Sequence, residues 1–184
     1  MIVAGIDPSL TSAGIAILDH GRPHTLTHVG HGSHNGANWN QRSRRIRYQC
    51  RRILDTIEEI TDRAGLDYPE LTVIEGPSYA SHHGHAFDRA GLWHGLYGAL
   101  DAQNMPVAVV APQTLKKFAT GKATAQKADV IAAAETWCHP AVDDEADAAW
   151  LACMGAIKLG CYPPVALTDW RLNGINAVAW PEAA

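Results

Sequence analysis

Four carboxylates in this chain stand where solvation does not account for an acid: Asp7, Glu75, Asp144 and Asp147. Asp7 ends the apolar run Ile2-Val3-Ala4-Gly5-Ile6, and Glu75 ends a second, Leu71-Thr72-Val73-Ile74. Runs of this length between turn residues read as buried strands. A charge at the end of such a strand is costly unless a cation or several donors meet it. Asp144 and Asp147 are three apart at the start of a helical stretch and share a face. Ala148, Leu151 and Ala152, on roughly that side, are apolar. The helix dipole alone favours acids in a first turn, which suffices for Asp143, Asp144 and Glu145, but Asp147 lies deeper. Asp143 is four residues before Asp147, so either Asp143 or Asp144 can be its partner. Carboxylates gathered together repel and raise each other's pKa. Hard divalent cations remove that penalty, and an all-oxygen ligand set selects Mg²⁺ or Mn²⁺. Two such ions roughly 3.5–4 Å apart can activate a water and stabilise the leaving oxygen in phosphodiester cleavage.

The basic residues fit a phosphate-bearing substrate. Lys116, Lys117, Lys122 and Lys127 form one group, and Lys116 and Lys127 are placed to meet backbone phosphates or developing charge. Six of the fifteen Lys and Arg residues (Arg42, Arg44, Arg45, Arg47, Arg51 and Arg52) fall between Gln41 and Leu54 with no acid among them. The net charge of −4 argues against a nucleic-acid binder, yet local basic faces coexist with a negative total. Two readings of the arginines, Arg44 and Arg45 included, stand side by side: a solvated helix face, or phosphate contacts. Tyr79 either stacks on an unpaired base or packs over the sheet. His82, His83 and His85 either bind a metal or lie exposed on a glycine-rich loop.

These residues need elements to hold them. Strands are predicted at Ile2–Asp7, Gly14–Leu18 and Thr25–His31, joined by tight turns as an antiparallel meander. Ile46, Cys50, Ile53, Ile57 and Ile60 recur at steps of four and three, predicting a helix from Asn40 to Ala64 that Gly65 stops. A strand at Leu71–Glu75, a helix over Ala86–Gln103 and a strand at Val107–Val110 follow. Then come a short basic helix at Leu115–Ala119, one capped by Thr124 and running to Cys138, and one from Asp143 to Leu159. Strands alternating with helices give an α/β chain with a mixed sheet flanked by helices. From Cys161 onward there is little periodicity, which suits a tail wrapping the domain or touching a second subunit.

At 184 residues, 47% hydrophobic and 18% charged, the chain is expected to form one soluble domain. No stretch approaches the ~20 apolar residues of a membrane span, and the first apolar run does not read as a signal peptide. Cys50, Cys138, Cys153 and Cys161 show no C-x-x-C spacing and sit among apolar neighbours, which predicts free thiols and a reducing, cytoplasmic setting. There is no P-loop, so no nucleotide cofactor is expected.

The ordered pieces Gly5-Ile6-Asp7-Pro8 with Gly14, Val73-Ile74-Glu75, Leu115-Lys116-Lys117 through Thr120-Gly121 to Lys127, and Asp144-Glu145-Ala146-Asp147-Ala148 resemble one known family. It is the RuvC family of Holliday-junction resolvases, within the RNase H-like nuclease superfamily. The resemblance covers roughly residues 2–156. It implies an RNase H-like five-stranded mixed sheet, a nuclease domain over residues 1–160, and a tail of unknown role over 161–184. It implies metal ligands at Asp7, Glu75, Asp144 and Asp147, phosphate contacts at Lys116 and Lys127, and a base-stacking aromatic after the glutamate, here Tyr79. It also implies a homodimer that cuts branched DNA on two strands. Tyr79 departs from the family's usual phenylalanine, and the arginine-rich helix and the tail have no counterpart in the pattern. Three other functions compete with that reading. They are the same chemistry on flaps, forks or RNA–DNA hybrids, a non-catalytic branched-DNA binder, and an actin- or sugar-kinase-like ATPase, which lacks its second phosphate loop here.

Overall fold

Apolar residues alternate between two faces along the central strands, so the sheet buries both sides. The computed structural model describes residues 1–32, 36–77 and 86–182. Its five strands are β1 (Ile2–Asp7), β2 (Ala13–Asp19), β3 (Arg22–Val29), β4 (Leu71–Glu75) and β5 (Val107–Val110). They lie in the order β3-β2-β1-β4-β5. β1 runs antiparallel to β2 and parallel to β4, and β4 runs parallel to β5. Ile2, Ala4, Ile6, Ile15, Ile17 and Ile74 face α1 (Trp39–Ala64) and α2 (Ala86–Ala102). Val3, Ala16, Leu18, Leu71 and Val73 face the other way, toward α3 (Pro112–Thr120), α4 (Lys127–Ala134) and α5 (Asp143–Lys158). The result is an α/β sandwich of the RNase H-like kind, with a mixed five-stranded sheet as expected.

Local chemistry sets the element ends and corrects three of the predicted ones. The β2–β3 connection needs only His20 and Gly21, both with positive φ (48° and 81°), the geometry that matches strand twist in a two-residue hairpin. β3 therefore starts at Arg22, earlier than Thr25, and Pro23 is tolerated because β3 is an edge strand. Thr124 does not cap α4. Gln126 precedes it, its amide donating to the Asp129 carboxylate at 2.9 Å, and the helix ends at Ala134, short of Cys138. α1 starts on a capping box, with Asn38 and Gln41 exchanging bonds of 2.9 and 3.0 Å, and ends on Gly65 in the left-handed region.

The chain after Cys161 holds a helix the periodicity did not show, α6 (Asp169–Asn176). Its polar composition conceals it, because only Gly174 and Ile175 are buried and an arginine supplies much of the attachment. Arg171 donates to the Phe118 and Ala119 carbonyls at the end of α3 (3.2 and 3.3 Å) and lies over the rings of Trp150 and Phe118. All four cysteines are buried and free, and burial pushes the Cys138 thiol up to about 12. No helix among the described residues is long and apolar enough to cross a membrane.

Candidate active site

The parallel register of β1 and β4 sets the first pair of acids. Ile6 pairs with Ile74, so the next residue on each strand places Asp7 beside Glu75 at the same sheet end. The two carboxyls share a hydrogen bond. From α2, Trp93 Nε1 donates to the Glu75 carbonyl at 2.8 Å and fixes where β4 ends.

The second pair arrives on α5, and three glycines allow it to come close. A Cβ on Gly14 would stand 1.9 Å from the Asp144 carbonyl oxygen, and one on Gly5 would stand 2.0 Å from that of Ala148. A Cβ on Gly155 would meet Val73 at 2.7 Å. Only residues without a side chain admit a helix backbone at this separation. Gly14 is also the ladder partner of Asp7, so the point of closest helix approach is the point where Asp7 sits. Gly14→Ala is therefore expected to lift the start of α5 from the sheet. A stability loss on the order of 1–3 kcal/mol is expected from overpacking, read by melting temperature.

Glu145 holds that helix end from the other side. It is almost fully buried (5% exposed) and accepts from the Ala141 amide at 2.6 Å. Its other oxygen lies 2.7 Å from His28 Nδ1 on β3. Sequence reasoning treated Glu145 as a first-turn acid and missed this role, because its partners come from a different strand and a preceding turn. Gln49, fully buried on α1, was missed for the same reason. Its Nε2 donates to the Ser9 and Val29 carbonyls (2.9 and 2.7 Å), tying down the turn that follows Asp7.

The electrostatics of the cluster are those of buried acids crowded together, with Lys116 and Lys127 the cations that act on them. Burial, and then the charges of Glu75, Asp147 and Asp144, hold Asp7 well above the carboxylate range. Burial and the Asp147 charge push Glu75 up to about 7, against the Asp7 hydrogen bond, Lys116 and Lys127, which lower it. Asp147 is raised to about 6, chiefly by burial. Lys127 bonds to Asp143, which draws the Asp143 pKa down and the Lys127 pKa up. Asp143 is thus engaged by a lysine, whereas Asp144 acts directly on Asp7.

The structure brings together Asp7, Glu75, Asp144 and Asp147, with Lys116 and Lys127 within their field. Lys117 and Arg44 are exposed. Arg45 turns inward, its Nη2 donating to the Leu10 and His31 carbonyls (3.2 and 2.8 Å). Tyr79, His82, His83 and His85 lie outside the described residues. The donor set, all oxygen, desolvated and mutually repelling, fits a hard divalent cation. That fit is one of donor chemistry: among the described residues no group of three or more His, Cys, Asp or Glu side chains stands at a spacing that could hold a metal ion.

Solved structures share this arrangement of elements. Thermus thermophilus RuvC superposes with a TM-score of 0.63 at 20% identity, over 90% of this chain and 100% of that one. The fold is the RuvC fold. The T. thermophilus RuvC complex with a Holliday junction substrate matches with a TM-score of 0.61 at 19% identity, over 87% of this chain and 96% of that one. No protein-family model matches the sequence, and no curated protein matches it. The likeness to RuvC is therefore one of fold, while most side chains differ.

Proposed function

We propose that this protein is a divalent-metal-dependent endonuclease that resolves four-way DNA junctions. The observation that supports it most is the convergence of four acids from two strand ends and one helix start, three of them held above their ordinary pKa by burial and mutual repulsion. A bound cation is the simplest relief for that arrangement. Asp7, Glu75, Asp144 and Asp147 would hold one or two Mg²⁺ or Mn²⁺ ions. When bound, these supply an activated water and neutralise charge on a scissile phosphodiester.

The chain's own contributions follow from its geometry. Glycines 5 and 14 hold α5 against the sheet, which keeps Asp144 and Asp147 facing Asp7. The hydrogen bond from Trp93 keeps Glu75 in register. Lys127 is raised by its Asp143 contact and so stays charged at any physiological pH. That suits it to stabilise phosphate charge and not to move protons. Lys116, on α3, meets the same phosphate from a second element, and Lys117 contacts the backbone further out. The resemblance in sequence and fold supports a homodimer acting on branched DNA, with Tyr79 stacking on an opened base, in a cytoplasmic setting.

Initial rates on a four-way junction, a flap, an RNA–DNA hybrid and a linear duplex of matched sequence test the substrate. The junction is expected to be cut at least about tenfold faster than the others, a preference of about 1.4 kcal/mol in the transition state. Equal rates on flap and junction would leave the metal chemistry in place but remove junction selectivity.

A further inference from the structure

The six arginines of α1 divide into two sets once their partners are known. Arg42 forms a two-nitrogen contact with buried Asp88 (2.8–3.0 Å) and lies over the Trp39 ring at 4.3 Å. Arg45 bonds the loop carbonyls described above. These two fasten α1 to its neighbours. Arg44, Arg47, Arg51 and Arg52 are exposed, and their side chains form no ion pair or hydrogen bond with a described residue.

The placement of these four charges opposes helix stability. Arg44–Arg47 and Arg47–Arg51 are like charges at i, i+3 and i, i+4, which repel. The first turn of the helix has no acid to offset them. The exposed acids Asp55, Glu58, Glu59 and Asp62 come only in the following half, beside Arg63. A run of one sign on an exposed face suits an interaction surface, and an external polyanion removes the repulsion.

Two further features indicate which polyanion. Tyr48 lies half-exposed (50%) on the same face, at i+4 from Arg44 and at i−3 and i−4 from Arg51 and Arg52, with its ring against His31 (centroids 4.7 Å apart). Cations around an aromatic ring suit a nucleic-acid strand better than an acidic protein. The helix that carries this face is anchored next to the acids, because Gln49 and Arg45 on its inner side bind Ser9 and Leu10, just after Asp7. From Arg44 to Arg52 the helix rises roughly 12 Å, which spans about three to four phosphates of one strand at ~3.4 Å each.

We propose that the outer face of α1, through Arg44, Arg47, Arg51 and Arg52, is a second DNA-contact surface. It tracks the phosphate backbone of a substrate arm leading away from the carboxylate cluster. This rests on the reading that the substrate is branched DNA, and it goes beyond it by assigning the path of an arm.

The test replaces all four arginines by glutamine and measures binding in chelator to two fluorescent four-way junctions. One has arms just long enough to keep the junction paired, and the other has arms several helical turns longer. For the long-armed junction, the variant is expected to bind more than about tenfold more weakly, with a salt slope lower by about 3. Its affinity for the short-armed junction, and its rate of cutting it in Mg²⁺, should match the unsubstituted protein. An unchanged melting temperature, or a raised one, shows that the fold is intact. Equal affinity and equal salt slope on long arms would overturn the proposal and leave α1 a solvated face. If the unsubstituted protein cuts neither junction but the variant still loses long-arm binding, the surface stands and the nuclease reading fails.

Discussion

Asp7→Asn is expected to reduce junction cleavage by about 10³-fold or more, since a lost metal ligand removes several kcal/mol of charge stabilisation and each 1.36 kcal/mol is a decade in rate. The same substitution is expected to make the metal-free protein more stable at neutral pH. Asp7 is held well above the carboxylate range by burial and then by Glu75, Asp147 and Asp144. A neutral amide of the same shape removes that repulsion, keeps the hydrogen bond to Glu75 available, and leaves the sheet unchanged. A raised melting temperature in chelator is the expected direction. Opposite movement of activity and stability marks a site selected for ligand binding; a merely structural acid loses both together.

Metal removal and pH should interact in a defined direction. Glu75 moves from an ordinary 4.5 to about 7 and Asp147 from 3.8 to about 6 on folding, so the folded state holds protons that the unfolded chain has released. Stability is therefore fullest below the unfolded pKa values and declines as pH rises from about 4.5 to about 7, then levels off. The Glu75 shift alone corresponds to on the order of 3 kcal/mol, or roughly 6–12 °C. Melting curves in chelator are expected to fall by about that much across this window. With millimolar Mg²⁺ the decline should largely disappear, since the cation binds the ionised acids and stabilises the folded state by mass action. A melting temperature that rises with pH across the window in chelator would mean the acids are not confined together. The Lys127–Asp143 pair, with its lowered aspartate, loses its contribution only at more acid pH and does not reverse the sign here.

Much of this was readable from the sequence, because the strands and their terminal acids are coded locally. Ile2–Asp7 and Leu71–Glu75 are continuous apolar runs closed by an acid, and both appear in the structure with those bounds. The α1 stripe was legible because a one-sided helix repeats with a fixed period. What stayed hidden depends on contacts between distant segments. Arg45 and Arg44 are indistinguishable in sequence, yet one bonds loop carbonyls and the other is exposed. Glu145 resembles its neighbours until His28 and the Ala141 amide are brought to it. α6 escaped notice because Arg171 attaches it through stacking and carbonyl contacts beside a single buried isoleucine, Ile175, which makes no periodic stripe. The contact of Asp143 with Lys127, sixteen residues upstream, was likewise hidden in the sequence.

The most direct measurement is cleavage of an end-labelled four-way junction by the unsubstituted protein and by Asp7→Asn, each in Mg²⁺ and in chelator. Paired, symmetric nicks are expected only from the unsubstituted protein with Mg²⁺, while both proteins retain junction binding. Cutting that persists in chelator, or Asp7→Asn cutting at the unsubstituted rate, would contradict a metal-dependent site built on these acids.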